Sequence, residues 1–556
     1  MKNLLDRFAN LFRTKMSYAS FTVMLAFYFA VVLNLPIYKE LHHIFAQMES
    51  VKLGFICTIP LFFWAALTLI FSLFSWPYIS KPFFIILLIC SALVSYAGFN
   101  YGTIFDADMI TNIMQTDSSE ASSYLSLYSL AWFVLLGIIP AFFVASVSFQ
   151  SESLLKFIVK KLLSIVVAAL VIVAIASVYY QDYASVGRNN SYLKKEIVPT
   201  QFVYSTFKYF KHTYFTTPVA YKELGLDARQ SERALKMAQS KPTLLVLVVG
   251  ETARSQNYQL NGYPRPTNPF TSQLDVISFQ DVRSCGTATA VSLPCMFSNL
   301  THDNYDHDIA NNQDNVIDIL KRAGIGMVWE DDDGGDKGVA KHIEKQMMNR
   351  TRVDQQCDGS TCYDMVLLED FAKNIDKQSG NRLLAMHLIG SHGPTYYKRY
   401  PKEMAVFQPD CPRADIENCT NEQIVNSYDN SIRYTDYVLS QTIARLKSLE
   451  DKYNTALIYL SDHGESLGED GLYLHGAPYA LAPDYQTTVP LIVWMSPGFK
   501  QLKAVNYDCL KQEAKQTEHY SHDNLFHSLL GIMDVETQVY QPELDLFAQC
   551  RQPHQQ

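Results

Sequence analysis

The chain has 556 residues, a formal net charge of −9, 48% hydrophobic residues and 18% charged ones. An acidic balance without a basic groove argues against nucleic acid as a partner, and the length allows more than one structural unit. The mean hydropathy of −0.02 averages two unlike halves.

Before residue 181 lie five apolar stretches, Ala19–Pro36, Leu53–Phe74, Phe83–Asn100, Ser126–Ser148 and Leu162–Tyr180. Each is near the roughly 20 residues that a bilayer demands. The first four hold no Lys, Arg, Asp or Glu, so residues 1–180 are predicted to form a transmembrane domain of five spans. The first stretch lacks a convincing small-residue cleavage site and reads as a retained anchor. Lys2, Arg7, Arg13 and Lys15 precede it, and Lys156, Lys160 and Lys161 lead into the fifth stretch. Basic flanks stay cytoplasmic, which puts the N-terminus inside. An odd number of spans then exports everything after Tyr180. The 101–125 loop faces outward, with Asp106, Asp108, Asp117 and Glu120.

Residues 181–237 mix Arg188, Lys194 and Lys195 with Phe202, Tyr204, Phe207, Tyr209, Phe210 and Tyr214. That mixture predicts an amphipathic bridge at the membrane interface, where aromatic rings are at home. From 238 to 556 predicted strands at 243–250, 326–331, 383–389 and 455–460 alternate with helical patterns at 316–323 and 424–446. Alternation of this kind argues for an α/β domain with a mostly parallel sheet.

Two of those runs deliver chemistry. Thr243 to Glu251 (TLLVLVVGE) ends in a carboxylate, and Thr455 to Glu465 (TALIYLSDHGE) ends in Asp462 and His463. In such sheets reactive groups collect at the carboxyl edge. Glu251, Asp462 and His463 could therefore meet there as three Zn²⁺ ligands, leaving a fourth position for a nucleophile. The bland alternatives are a helix-capping turn for Asp462–His463 and a first-turn helical acid for Glu251. Between the two runs lies Ser284 to Cys295, with hydroxyls at Thr287, Thr289 and Ser292. A hydroxyl at a helix N-terminus beside zinc could act as an alkoxide. Composition does not choose among the three, and Pro294 suggests a helix beginning close to it.

Of ten cysteines, Cys57 and Cys90 fall in spans and eight come later. An even set in an exported domain reads as disulfides, although eight cysteines allow 105 pairings. Proximity favours Cys285–Cys295, Cys357–Cys362 and Cys411–Cys419, leaving Cys509 with Cys550.

Glu251-Thr252, the run Ser284 to Ser298 (SCGTATAVSLPCMFS), Ser391-His392-Gly393-Pro394, Ser461 to Gly468 (SDHGESLG) and Tyr473-Leu474-His475-Gly476 resemble the lipid A phosphoethanolamine transferases. These are inner-membrane enzymes of Gram-negative bacteria, and they include the chromosomal and mobile colistin-resistance types. The likeness spans the whole chain. It implies five spans before a periplasmic alkaline-phosphatase-like domain, with the second Thr of CGTAT, here Thr289, as nucleophile. By the same resemblance the zinc ligands are Glu251, Thr289, Asp462 and His463. His392 and His475 bind substrate or a second metal, Lys337 binds phosphate, and Asn112, Thr116 and Glu120 are the lumenal-loop residues. A serine near that lysine in some members is Gly334 here, which puts that contact in doubt.

The implied reaction moves phosphoethanolamine from phosphatidylethanolamine to a lipid A phosphate through a phospho-threonine. Masking lipid A charge in this way lowers the affinity of polymyxins such as colistin. The chain is expected to work as a monomer. A related phosphoethanolamine or phosphoglycerol transferase acting on another envelope glycan is the rival. A sulfatase is disfavoured, because neither Cys285 nor Cys295 opens a C-x-P-x-R motif. A transporter is disfavoured because the spans show no clear ionisable or broken-helix site at mid-membrane.

Overall fold

The computed structural model describes residues 15–48, 50–215 and 219–552; Lys2, Arg7 and Arg13 lie outside them. The chain forms two compact units. One comprises the described residues up to Ile110 with Ser126–Tyr214, the other Thr111–Leu125 with the described residues from Phe215 onward. The expected 181–237 bridge is thus divided between the units at Tyr214, and the outer part of the 101–125 loop packs with the second unit.

Among the described residues of the first unit, four helices are long and apolar enough to cross a bilayer: Leu53–Phe74, Ser80–Tyr101, Leu127–Ser146 and Leu154–Asn189. The expected first span is part of a bent pair, Tyr18–Leu33 and Leu35–Gln47, at 51° to one another. Five spans are reached only if this pair counts as one. The bend has one local cause and one distant in sequence. Pro36 lacks the N–H a continuous helix needs, and the Asn34 side chain bonds the carbonyl oxygens of Phe29 (2.9 Å) and Val198 (2.7 Å) instead of facing solvent. The last helix outruns the predicted 162–180 at both ends. Its 36 residues extend about 54 Å at ~1.5 Å each, well beyond a ~30 Å hydrocarbon layer. Tyr179, with φ −122°, interrupts its helical geometry near the predicted end. Beyond it, the helix Thr200–Phe215 buries Phe202 and exposes Tyr204, Phe207 and Tyr214.

The second unit is built on seven strands: β1 (Thr243–Gly250), β2 (Ile277–Phe279), β3 (Gly326–Asp331), β4 (Glu344–Met347), β5 (Arg382–His387), β6 (Asn454–Ser461) and β7 (Leu491–Met495). Their order is β2-β7-β6-β1-β5-β3-β4. The sheet is mixed: the ladders from β6 to β4 are parallel, and β7 runs antiparallel to both neighbours. Every residue of β1, β5 and β6 is buried, as strands covered on both faces require.

Register positions the chemistry. Ser461 pairs with Gly250, Val249 with His387, and Asp331 with His387. Glu251, Asp462, His387 and Asp331 therefore emerge side by side at the carboxyl edge of four adjacent strands.

Candidate active site

Where β1 and β6 end, Glu251, Asp462 and His463 converge, all fully buried, with one ligand atom from each lying within 4.8 Å of the others. His463 Nε2 is 3.2 Å from Asp462 Oδ2 and 3.5 Å from Glu251 Oε1. Its Nδ1 faces the Gly464 carbonyl at 3.0 Å, which fixes the proton there and turns the Nε2 lone pair inward. Asp462 Oδ1 accepts the backbone N–H of Thr252 (3.1 Å) and of His463 (2.7 Å). Thr252 is held in the left-handed region at φ +59°, its carbonyl bonded by the Tyr428 hydroxyl at 2.8 Å. Such a conformation costs of order 1 kcal/mol or more and persists only where the surroundings impose it.

Burial, with Asp462 alongside, raises Glu251 well above the carboxylate range. Burial also raises Asp462 to about 6 and drives His463 down to about 4. Two acids and a neutral imidazole packed this closely need a cation, and the set of one N and two O donors fits Zn²⁺. Neither capping alternative holds, because no helix follows either residue directly.

The nucleophile segment approaches from the other side. Helix α1 (Thr289–Phe297) starts at Thr289, five residues ahead of Pro294. Proline removes one interior hydrogen bond, which a nine-residue helix ending three residues later tolerates. Thr289 Oγ1 lies 3.2 Å from Glu251 Oε2 and 3.4 Å from His463 Nε2. Thr287 turns away, its hydroxyl donating to the Ala477 carbonyl at 2.6 Å. Ser292 donates to the Ala288 carbonyl at 3.0 Å and stands 3.5 Å from Asp462. Geometry thus separates three hydroxyls that composition left equal.

Cys285 and Cys295 bridge across the segment. The other bridges are Cys357–Cys362, Cys411–Cys419 and Cys509–Cys550, with Cys57 and Cys90 free. His522, with no sequence motif to mark it, ties the segment to the sheet. Its Nδ1 accepts the Cys285 N–H (3.1 Å) and its Nε2 donates to the Ser461 carbonyl (2.9 Å).

His392 and His475 stand beside the cluster, their ring centroids 5.6 Å apart, with His475 4.4 Å from His463. Gly390, at φ +51°, lets the 388–392 loop pass so close to Glu251 that a Cβ would meet the Glu251 carbonyl oxygen at 2.6 Å. Glu120 Oε1 is 3.4 Å from His392 Nε2. Burial disfavours the imidazolium, yet the Glu120 contact and the acids behind it hold His392 up at about 9. Burial likewise opposes the Glu120 carboxylate, and His392 outweighs it, keeping Glu120 at about 2. His475 is driven down to about 3 by burial and the His392 charge. Its Nδ1 is 2.8 Å from Glu465, which burial lifts to about 8 and which also accepts the Tyr396 hydroxyl.

Glu465 and Arg399 escaped the sequence reading. Glu465 lies inside the SDHGE run but carries no ligand spacing of its own. Arg399, buried, donates to the His392 carbonyl at 2.8 Å. Lys337 is half-buried, within electrostatic reach of Glu120, in a pocket with Pro294, Asn311 and Asn315. At Gly334, φ is +115° and a Cβ would clash with Asp117 Oδ2, so a serine is not accommodated. Glu120 lines a cavity of about 180 Å³ with Asp333, Arg350, His392 and Arg399. Asn112 and Thr116 do not line it; the Thr116 hydroxyl bonds the Asn112 carbonyl at 2.9 Å.

A hydroxyl at a helix N-terminus facing a buried cation site suits metal-assisted transfer of a phosphoryl or sulfuryl group. Residues 243–535 match the Sulfatase family, and residues 63–214 match the family described as Phosphoethanolamine transferase EptA/EptB. Over 540 residues the chain is 36% identical to phosphoethanolamine transferase EptA of Escherichia coli K12, covering 97% of this chain and 98% of that one. It is 35% identical over 479 residues to phosphatidylethanolamine transferase Mcr-1 of E. coli, covering 84% and 88%. The solved integral membrane lipooligosaccharide phosphoethanolamine transferase EptA of Neisseria meningitidis superposes with a TM-score of 0.92 at 35% identity, covering 97% of this chain and all of that one. The chain belongs to the EptA phosphoethanolamine transferase family. It is a phosphoethanolamine transferase, with an integral membrane unit and an alkaline-phosphatase-like catalytic unit.

Proposed function

We propose that the chain transfers phosphoethanolamine from phosphatidylethanolamine to a phosphate of lipid A, with Thr289 as the covalent carrier. The placement of Thr289 Oγ1, 3.2 Å from Glu251 and 3.4 Å from His463, carries this reading. The donor is the lipid in the name of the Mcr-1 relative, and lipooligosaccharide is the acceptor in the name of the Neisseria one. The basic flanks support a periplasmic location for the unit bearing the site, anchored in the inner membrane beside both lipids.

Glu251, Asp462, His463 and Thr289 would hold Zn²⁺, which supplies positive charge to the threonine oxygen and the phosphoryl oxygens. Thr289 gives its proton to water and forms a bond to phosphorus. The bond from phosphorus to the diacylglycerol oxygen breaks, and that oxygen takes a proton from His392, which Glu120 keeps charged. In the second half a lipid A phosphate oxygen attacks the phosphoethanolamine-threonine phosphorus and passes its own proton to His392. Thr289 leaves and takes a proton back from water, so both groups are reset. Lys337 and His475 would bind phosphoryl oxygens. The added ethanolammonium offsets lipid A charge and weakens binding of polymyxins.

Mass spectra of lipid A from cells expressing the wild-type chain and Thr289→Ala test the proposal. Phosphoethanolamine on lipid A with the former and none with the latter is expected. Unmodified lipid A with a modified envelope glycan instead would move the acceptor to the rival class.

A further inference from the structure

The carboxyl edge of the sheet holds a second buried group that the transfer steps do not use. His387 ends β5, is fully buried, and has Nδ1 3.0 Å from Asp331 Oδ2. Asp331 is a fully committed acceptor. Its Oδ2 also takes the Trp329 indole N–H (3.0 Å), and its Oδ1 takes the backbone N–H groups of Asp333 (3.1 Å), Gly334 (2.9 Å) and Gly335 (2.9 Å). Facing that carboxylate, Nδ1 carries the proton, and Nε2 points away from it. Among the described residues this buried Nε2 has no hydrogen-bond partner. Asp333 Oδ2 is 3.7 Å off, too far for a hydrogen bond.

The turn cradled by Asp331 delivers Asp333, and Glu251 enters from the adjacent strand. One ligand atom from each of Glu251, Asp333 and His387 lies within 4.8 Å of the others, and all three residues are buried. A buried imidazole nitrogen without a hydrogen bond, 3.7 Å from one buried carboxylate and grouped with a second, is an arrangement that a cation completes. An imidazole whose other nitrogen is held by a carboxylate is, moreover, how metal-binding histidines are oriented.

We propose that Glu251, Asp333 and His387 hold a second divalent cation, with Glu251 shared between two ions. Two carboxylates and one imidazole suit Zn²⁺ or Mn²⁺, and paired ions bridged by one carboxylate are a known device for clamping a transferring phosphoryl group. The site is separate from His392 and His475. It rests on the assignment of Glu251, Asp462 and His463 to the first ion.

The test uses the full-length protein in detergent, stripped with a chelator, reloaded with Zn²⁺ or Mn²⁺ and dialysed. Elemental analysis should find about two ions per chain, falling to about one in Asp333→Asn and in His387→Gln. The Mn²⁺-loaded wild type should give an exchange-coupled electron paramagnetic resonance spectrum, and Asp333→Asn an uncoupled one. One ion in the wild type, an uncoupled wild-type spectrum, and no change in either variant would overturn the second site while leaving the first intact. If the variants lose both ions, the wild-type Mn²⁺ spectrum decides, coupled for the proposal and uncoupled against it. Full metal content in Asp462→Asn would instead sink the first site, and the second with it.

Discussion

Replacing Glu120 with Gln keeps the side chain's shape and removes its charge. Glu120 Oε1 sits 3.4 Å from His392 Nε2, and His392 is held at about 9 although burial pulls it the other way. Relative to the ordinary 6.5, that is about 2.5 units, or of order 3 kcal/mol favouring the imidazolium at ~1.36 kcal/mol per unit. Glu251 and Asp333 add to the effect but act more weakly than Glu120, and a cation held by them would offset their charge, so Glu120 carries most of it. The sign follows directly. A raised pKa keeps His392 charged below about 9; without Glu120, burial leaves it under the ordinary ~6.5. At pH 7.5 the protonated fraction then falls to roughly a tenth or less. If His392 protonates the departing diacylglycerol oxygen, Glu120→Gln should lose at least about tenfold in kcat/KM at pH 7.5 and recover as the pH falls below ~6.5. The wild type should hold its activity to about pH 9. Release of diacylglycerol from a fluorescent phosphatidylethanolamine, in detergent micelles over that pH range, gives both profiles. Parallel profiles for the two proteins would refute the reasoning.

Thr289→Ala should abolish transfer at unchanged secondary structure, and intact-protein mass spectrometry with donor alone should find a phosphoethanolamine adduct in the wild type only. Thr287→Ala, whose hydroxyl faces the Ala477 carbonyl, should retain measurable activity. Leu247→Ala, fully buried in β1, should destabilise the catalytic unit by about 2–5 kcal/mol, read as a lower thermal midpoint; an unchanged midpoint would contradict the packing. Thiol labelling of the denatured, unreduced protein should mark Cys57 and Cys90 alone, and further labelled cysteines would count against the four bridges.

Local sequence determined a great deal here. Uninterrupted apolar runs can only be buried, so 243–250 and 455–460 were legible as central strands, and Glu251, Asp462 and His463 as residues at their ends. Length and charge-free composition marked the membrane helices, but not the bend at Asn34, which depends on a contact with Val198 far along the chain. The antiparallel β7 was equally hidden, because an apolar run does not encode its direction. Which hydroxyl faces Glu251 and His463 was decided by tertiary structure: Thr287, Thr289 and Ser292 are alike in sequence, and only the start of α1 separates them. His387 and Asp333 carried no spacing signal at all. They reach Glu251 because parallel register brings the ends of β1, β5 and β3 to one edge, and register is set by pairing between strands distant in sequence rather than within any one of them.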